Sequence, residues 1–359
     1  MTDDNRSPLH DTHVAAGGET IWEDGWPWVL NYGDAAGEYE AIRTAVGLWD
    51  LYSTIKYEVT GPDAAALIQR RATNDISAMT SGSVRYNAFV NADGLMVDDG
   101  NVYKFDDEKL WVLINTAGLE DWFKETAGDL HADIRERTKD FSMVSVQGPG
   151  SRSLIQGLTG TDISGLKYFR FMTDPIVVAG ASCTLLRTGF SGELGYELVC
   201  YGSDGVELWN ALVEAGGRPF GLDAVDLARI EAGLIIIEMD YKPGETSPWD
   251  MSMDKFIKPG TGCVGAAALA DAGASPAKRL KTLQIEGDAL PEAGATVTKD
   301  GAEVGTVTSP AASPRLGGIA LAVLESGAAA DGEKVEVGGS VATVAPLSLY
   351  DPNKEKPRG

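Results

Sequence analysis

Residues 84–105, VRYNAFVNADGLMVDDGNVYKF, carry the pattern on which the fold turns. Two runs rich in β-branched and aromatic residues flank Asn91-Ala92-Asp93-Gly94, so the segment reads as two antiparallel strands joined in a hairpin. The second strand holds two adjacent carboxylates, Asp98 and Asp99. Successive side chains of a strand point to opposite faces, so these neighbours cannot act as a dyad on one surface. A carboxylate facing inward needs a donor, a cation or a chemical role, because an unpaired buried charge is expensive.

The same grammar extends in both directions. IKYEVTGPDAAALIQRR (55–71) reads as strand, Gly-Pro turn and helix, and KLWVLINTAGLEDWFKETAGDL (109–130) as a strand followed by a helix beginning after Asn115. A second pass starts near Phe141, where FSMVSVQGPGSRSLIQGL again gives strand, Gly-Pro turn and helix, a pseudo-repeat that predicts two related α+β halves. IVVAGASCTLLRTGFSGELGYELVCY (176–201) reads as strands around a glycine-rich turn. In SDGVELWNALVEAGG (203–217) the apolar residues recur at helical spacing, with Ser203 or Asp204 as the expected cap. GLDAVDLARIEAGLI (221–235) is a further helix. From about residue 276 short strands with Lys-Asp-Gly and Gly-Gly turns predict a small all-β barrel. The expected division is therefore 1–275 and 276–359, joined at the linker-like ADAGASPAKR.

Composition excludes several functions. The 359 residues include 43% hydrophobic and 23% charged, the balance of a globular chain, and a net charge of −23 opposes binding to nucleic acid or an anionic membrane. Apolar runs are too short to span a bilayer, and MTDDNRSPLHD lacks the features of a secretory signal. Three scattered cysteines, Cys183, Cys200 and Cys263, fit neither a disulfide framework nor a zinc site, which suggests a reducing cytoplasm. Only three histidines exist, and His10 and His13 fall in a polar tail expected to be disordered, so histidine-based chemistry would rest on His131 alone.

Two glycine-rich segments compete for attention. GTGCVG (260–265) matches a dinucleotide fingerprint formally, but Pro259 precedes it where a strand is required and antiparallel-looking strands follow, so it is discounted as a nucleotide site. RTGFSGELGYE (187–197) allows close backbone approach at its glycines and places Glu197 on the strand that leaves it. ETIWEDGWPWVLNY (19–32) concentrates Trp22, Trp26, Trp28 and Tyr32, which serve as packed lid or ligand wall.

Taken together, EYEAIRTAVGLWDLY, TGPDA, TNDI, YNAFVNADGLMVDDG, VQGPGS, RTGFSGELGYE, GLDAVDLARIEAG, SPWDMSMDKFIK and VGTVTSPAASPRLGGIALA run almost end to end, and their order resembles the glycine cleavage T-protein, or aminomethyltransferase, family. The resemblance implies an α+β, three-lobed cloverleaf of T-protein type, with two related folate-binding lobes, a C-terminal all-β barrel domain and tetrahydrofolate in a central channel. It makes Asp99 the catalytic carboxylate and Glu197 the residue that holds the pterin ring. Tyr86, Asn115 and Arg187 are the further expected cofactor contacts, and Trp26, Tyr32, Phe190 and Lys255 the expected substrate-side residues. No metal is implied.

Departures from the family pattern shape the functional expectation. Tyr52, Ser53 and Thr54 stand where the pattern has Ser-His-Met, Phe190 where it has Tyr, Val225 where it has Arg, Lys255 where it has Trp, and Gly100 where Leu is usual. Lys255, and the loss of the Arg where Val225 stands, are similar to the folate-dependent demethylase branch, which implies a methyltransferase moving a one-carbon unit from a small methylated donor to tetrahydrofolate. The alternatives are an aminomethyltransferase served by a lipoyl carrier protein, and a non-catalytic folate-binding accessory protein. The element K-G-C-Y-x-G-Q-E of that accessory branch reads GTGCVGAAA here, keeping Gly262 and Cys263 but losing the Tyr, Gln and Glu.

Overall fold

The computed structural model describes residues 5–23 and 25–359. The hairpin forms as expected from strands Ser83–Val90 and Met96–Lys104, with Phe89 opposite Asp98 and Val90 opposite Met96. Val97 is thus an extra residue, a bulge next to the two aspartates. Lys109–Ile114, Ile55–Thr60 and Asp133–Glu136 complete a five-stranded antiparallel sheet.

Alternation along these strands decides what each face covers. Tyr57, Val59, Phe89, Val102, Leu110, Val112 and Ile114 pack as one core with Leu67 and Ile68 of helix Ala64–Gln69 and with Phe123 of Glu120–Lys124. On the opposite face Val84, Tyr103, Trp111 and Leu113 join Trp49, Met143, Leu186 and Val199, which belong to a second sheet. That six-stranded sheet runs in the order Ile176–Val178, Ala181–Leu186, Gly195–Tyr201, Phe141–Gln147, Gly47–Asp50, Arg218–Pro219. Its outer face packs Val144, Val146, Leu185 and Leu198 against helices Ser151–Leu158 and Gly205–Glu214. The two lobes therefore meet sheet to sheet, and they interleave, since Gly47–Asp50 precedes the first lobe in sequence but lies in the second lobe's sheet.

The pseudo-repeat extends to backbone geometry. Gly61 and Gly148, which open the two Gly-Pro turns, have φ of +115° and +118°, and a Cβ on either would approach a carbonyl oxygen to 2.5 Å. Only glycine fits both demands.

The third lobe is a closed barrel of six strands between Lys278 and Ala345. Helix Leu222–Ala232 ties it to the rest. Arg229 donates to Asp240 at 2.5 Å and to Ser309 at 2.7 Å, while Glu231 accepts from Arg43, Tyr39 and Ser313. These charges are buried and fully paired, the condition under which such a network is tolerated. No helix among the described residues is long and apolar enough to cross a membrane.

Four local expectations are corrected. The N-terminal segment is ordered from residue 5: His10–Ala15 is a helix, and His13, only 3% exposed, lies between the Asp50 carboxylate at 3.1 Å and the Tyr32 hydroxyl at 2.9 Å. Residues 1–4 of the same expected tail lie outside the described residues. The helix expected after Asn115 begins only at Glu120, because Asn115 and Thr116 are held by Asp98. Neither Ser203 nor Asp204 caps helix Gly205–Glu214 with its side chain. The linker-like ADAGASPAKR begins inside helix Ala266–Ala274. The GTGCVG segment is a loop leading into that helix, with no strand before it.

Candidate functional site

Asp99 is the inward carboxylate. Tyr86, on the neighbouring strand, donates its hydroxyl to Oδ2 at 2.6 Å, and Tyr241, from the segment after helix Leu222–Ala232, donates to Oδ1 at 2.6 Å. Burial, then the charge of Asp98, pushes the Asp99 carboxyl up to about 7, against the two phenols that favour the ionised form. Asp98 turns the other way and braces the backbone. It accepts from the backbone N–H groups of Asp99, Asn115 and Thr116 and from the Asn115 side-chain amide. The adjacent acids thus divide into a carboxyl positioned by two phenols and a brace for the loop beneath it.

Glu197 enters from the facing sheet, on strand Gly195–Tyr201. It is buried, accepts from the Thr188 hydroxyl, and is pushed up to about 7 by burial, against the pull of Thr188 and Lys56. Lys56 is itself driven down to about 7 by burial, and its ammonium donates to the carbonyls of Leu51, Tyr52 and Thr54.

One strand connects the two acids. Asp99, Asn101 and Tyr103 alternate onto the same face of Met96–Lys104, across roughly 13 Å of strand. The Tyr103 hydroxyl lies 3.2 Å from that of Thr188, which donates to Glu197. Tyr86 is directly opposite Asn101 in the neighbouring strand, and Leu113 is opposite it on the other side.

The remaining expected residues divide by location. Phe190 packs into the apolar layer between the sheets. Asn115 spends its amide N–H groups on the Asp98 carboxylate and the Asp99 carbonyl. Arg187 donates to the carbonyls of Leu166, Pro357 and Arg358, pinning the C-terminal segment beside the glycine-rich turn. Lys255 is exposed in the short helix Asp254–Phe256, whose Phe256 ring meets the Tyr86 ring edge-on at 5.0 Å. Trp26 and Tyr32 make protein contacts: Trp26 meets Tyr52 at 5.8 Å between ring centroids, and Tyr32 meets His13. Trp26 belongs to the hairpin of Glu19–Glu23 with Trp26–Asn31, and Tyr32 follows it directly.

Sequence reasoning missed Tyr241, Asn101, Tyr103 and Thr188. Asn101 and Tyr103 were recoverable from strand alternation counted from Asp99, whereas nothing in IIIEMDYKPGE marks Tyr241.

Tyr241→Phe tests the second phenol. It removes a donor that favours the ionised form of Asp99, so the midpoint of the pH–rate profile moves up from about 7, and turnover at neutral pH falls about 10-fold. A pH profile identical to wild type would show that Tyr241 only packs.

One face of strand Met96–Lys104 carries the Asp99 carboxyl and the Asn101 carbonyl oxygen, and through Tyr103 and Thr188 it leads to the Glu197 carboxyl, beside which the apolar and aromatic side chains of both sheets pack. Such a row of acceptors suits a flat ligand with an N–H-rich edge, which a tetrahydropterin has. Two facing α+β lobes with this site and a closing β-barrel define a class of protein, the folate-dependent one-carbon transferases. The comparisons agree. Residues 9–261 match the family model described as the GCVT N-terminal domain, and residues 278–351 match the glycine cleavage T-protein C-terminal barrel domain. A probable aminomethyltransferase of Halobacterium salinarum is 34% identical over 92% of this chain and 93% of the relative. The aminomethyltransferase of Bacillus subtilis is 33% identical over 92% and 94%, and that of Streptomyces avermitilis 36% over 86% of each. The crystal structure of glycine cleavage system aminomethyltransferase T from Bartonella henselae superposes with a TM-score of 0.87 at 21% identity, covering 96% of this chain and 97% of that one, and shows the shared fold. The chain belongs to the glycine cleavage T-protein, or aminomethyltransferase, family, and it is an enzyme that transfers one-carbon units to tetrahydrofolate.

Proposed function

We propose that the protein is an aminomethyltransferase, accepting an aminomethyl group from the lipoyl arm of a carrier protein and releasing ammonia. The observation that carries this reading is the buried Asp99 carboxyl, held by two phenols and able to exchange a proton near neutral pH, on a layer shared with Glu197. The curated relatives named aminomethyltransferase support it over the methyl-donor expectation.

In this reading tetrahydrofolate supplies the nitrogens that take up the carbon. Glu197 accepts two adjacent N–H donors of the pterin edge and orients the ring, as a buried carboxylate with an unfilled oxygen can. Asp99 takes the proton that the acceptor nitrogen must lose, and Tyr86 and Tyr241 stabilise the carboxylate until it does. Positioning in a dry layer supplies the rest, since fixed donors and acceptors act more strongly there than in water. Asn115, through Asp98, holds the loop below Asp99, and Arg187 holds the C-terminal segment beside the glycine-rich turn; both are positioning residues.

A second reading, transfer of a methyl group from a small methylated donor, is favoured by Val225. It is 2% exposed in the apolar layer, where the family pattern has Arg, so a charged anchor is missing from that wall.

An anaerobic assay with tetrahydrofolate separates the two. A lipoylated, aminomethyl-loaded carrier protein is compared with a panel of methylated amines, betaines, sulfonium compounds and aryl methyl ethers, and folate products are weighed by mass spectrometry. The proposal expects 5,10-methylene-tetrahydrofolate with the carrier and no product without it. A 5-methyl product from a free donor would replace it with the second reading.

A further inference from the structure

We propose that Asn101 is a specificity-determining residue, the acceptor by which the site distinguishes the reduced from the fully oxidised pterin ring. The inference rests on tetrahydrofolate binding between the two sheets.

The starting observation is an unpaired atom. Asn101 Oδ1 is buried without a hydrogen-bond partner among the described residues, on the strand face that also carries Asp99 and Tyr103. Buried polar atoms in native proteins nearly always find a partner, so an orphan acceptor between two candidate ligand-binding acids requires an explanation.

The orientation of the amide follows from the network beside it. Thr188 has one hydroxyl proton and gives it to Glu197. The contact between Tyr103 and Thr188 must then use the Tyr103 proton, which leaves the Tyr103 oxygen as an acceptor. The Asn101 side chain hydrogen-bonds that oxygen, so it presents its NH2 there and turns Oδ1 away from Tyr103, where it is buried without a partner. An ionised Glu197 therefore dictates, through three successive hydrogen bonds, that Asn101 offers an acceptor to the ligand layer.

The chemistry of the ring makes that acceptor selective. The 2-amino group and N3–H of a pterin are present in every oxidation state, so a carboxylate that grips them does not sense reduction. Ring nitrogens 5 and 8 differ: they carry hydrogens in the tetrahydro form and bare lone pairs in folic acid. A carbonyl oxygen facing one of them gains a hydrogen bond with the reduced ring and faces a lone pair with the oxidised one. A site built to accept an N–H rejects the analogue that lacks it more strongly than an apolar pocket rejects a misfit. Asn101 is thus the redox-sensitive contact and Glu197 the redox-blind one.

The test is calorimetric titration of the full-length protein with tetrahydrofolate and with folic acid, under anaerobic conditions. Wild type is expected to favour tetrahydrofolate by roughly 10-fold or more, the scale of one buried hydrogen bond. Asn101→Leu, a near-isostere without the acceptor, is expected to lose roughly 10-fold in tetrahydrofolate affinity and none for folic acid, so that the ratio collapses. Asn101→Val, whose β-branched side chain suits a strand, repeats the measurement if the leucine variant does not fold. Equal losses for both ligands, or no loss for either, would overturn the inference, the second result assigning Oδ1 to a water molecule. Failure of wild type to bind either ligand would instead overturn the folate reading beneath it, and that result is obtained before any variant is made.

Discussion

Asp99→Asn is expected to slow one-carbon transfer by about 10²- to 10⁴-fold in kcat while leaving tetrahydrofolate affinity within a few-fold of wild type. The size follows from the role. A carboxylate that takes a proton in the rate-determining step has no substitute beside it, since the adjacent Asp98 points to the opposite face and is committed to Asn115 and Thr116, and Glu197 lies at the far end of the strand face. Burial and Asp98 raise the Asp99 carboxyl to about 7, so wild-type turnover should climb with pH through that value and level off as the group ionises. The same shift predicts the stability of the variant. A carboxyl whose folded pKa is raised binds its proton more tightly in the native state. Its favourable contribution is complete below the unfolded value of 3.8 and is lost as the pH rises through about 7. At pH 8 the wild-type protein carries a buried charge that Asp99→Asn lacks, so the variant should melt no lower than wild type. Differential scanning calorimetry at pH 8 beside single-turnover kinetics checks both halves. Retained turnover would remove Asp99 from the chemistry, and a large fall in melting temperature would show that the loss is structural.

Glu197→Gln is expected to act on binding. An ionised carboxylate that accepts two N–H donors from a buried ring makes charge-assisted hydrogen bonds, and its neutral amide analogue presents one acceptor and one mismatched donor. Tetrahydrofolate affinity should fall about 10- to 100-fold, with kcat at saturation changed only a few-fold. Since burial raises Glu197 to about 7 and the ligand binds the ionised form, wild-type affinity should weaken as the pH drops below that value, and this dependence should vanish in the variant. Titration at three pH values tests the claim. A variant that binds as tightly as wild type would place the pterin elsewhere.

Architecture was more legible in the sequence than the site was. Both Gly-Pro repeats, the hairpin at 84–105 and the barrel after 276 announce themselves through alternation and turn residues, which are local signals. The pairing of Gly47–Asp50 with Phe141–Gln147 is not local, and no pattern in GLWD predicts that it joins a strand almost a hundred residues later. The same divide runs through the site. Asp99 is marked by its acidic neighbour and Glu197 by its glycine-rich turn, but Tyr241 meets Asp99 across 142 positions of chain and carries no motif. The N-terminal histidines misled for a related reason: a short polar segment reads as a tail unless one knows that Asp50 and Tyr32 wait to receive His13. Arg187 shows the same limit, since its Nη2 reaches backbone carbonyls at the far end of the chain, a contact that nothing beside the glycine-rich turn announces.

The bulge at Val97 makes the chemistry of this protein a matter of odd and even. Asp99, Asn101 and Tyr103 occupy odd places on one strand, and Asp98 an even one; the extra residue before them sets which is which. Removing one residue there would exchange the two aspartates while leaving the composition of the strand nearly unchanged, handing the inward post to the acid that now braces a loop. Substitutions at Ala92 and Asp93 should therefore be tolerated far better than changes of length, and a deletion scan through residues 91–97 should lose activity abruptly at single-residue steps and recover part of it at two. In this strand, counting matters as much as identity.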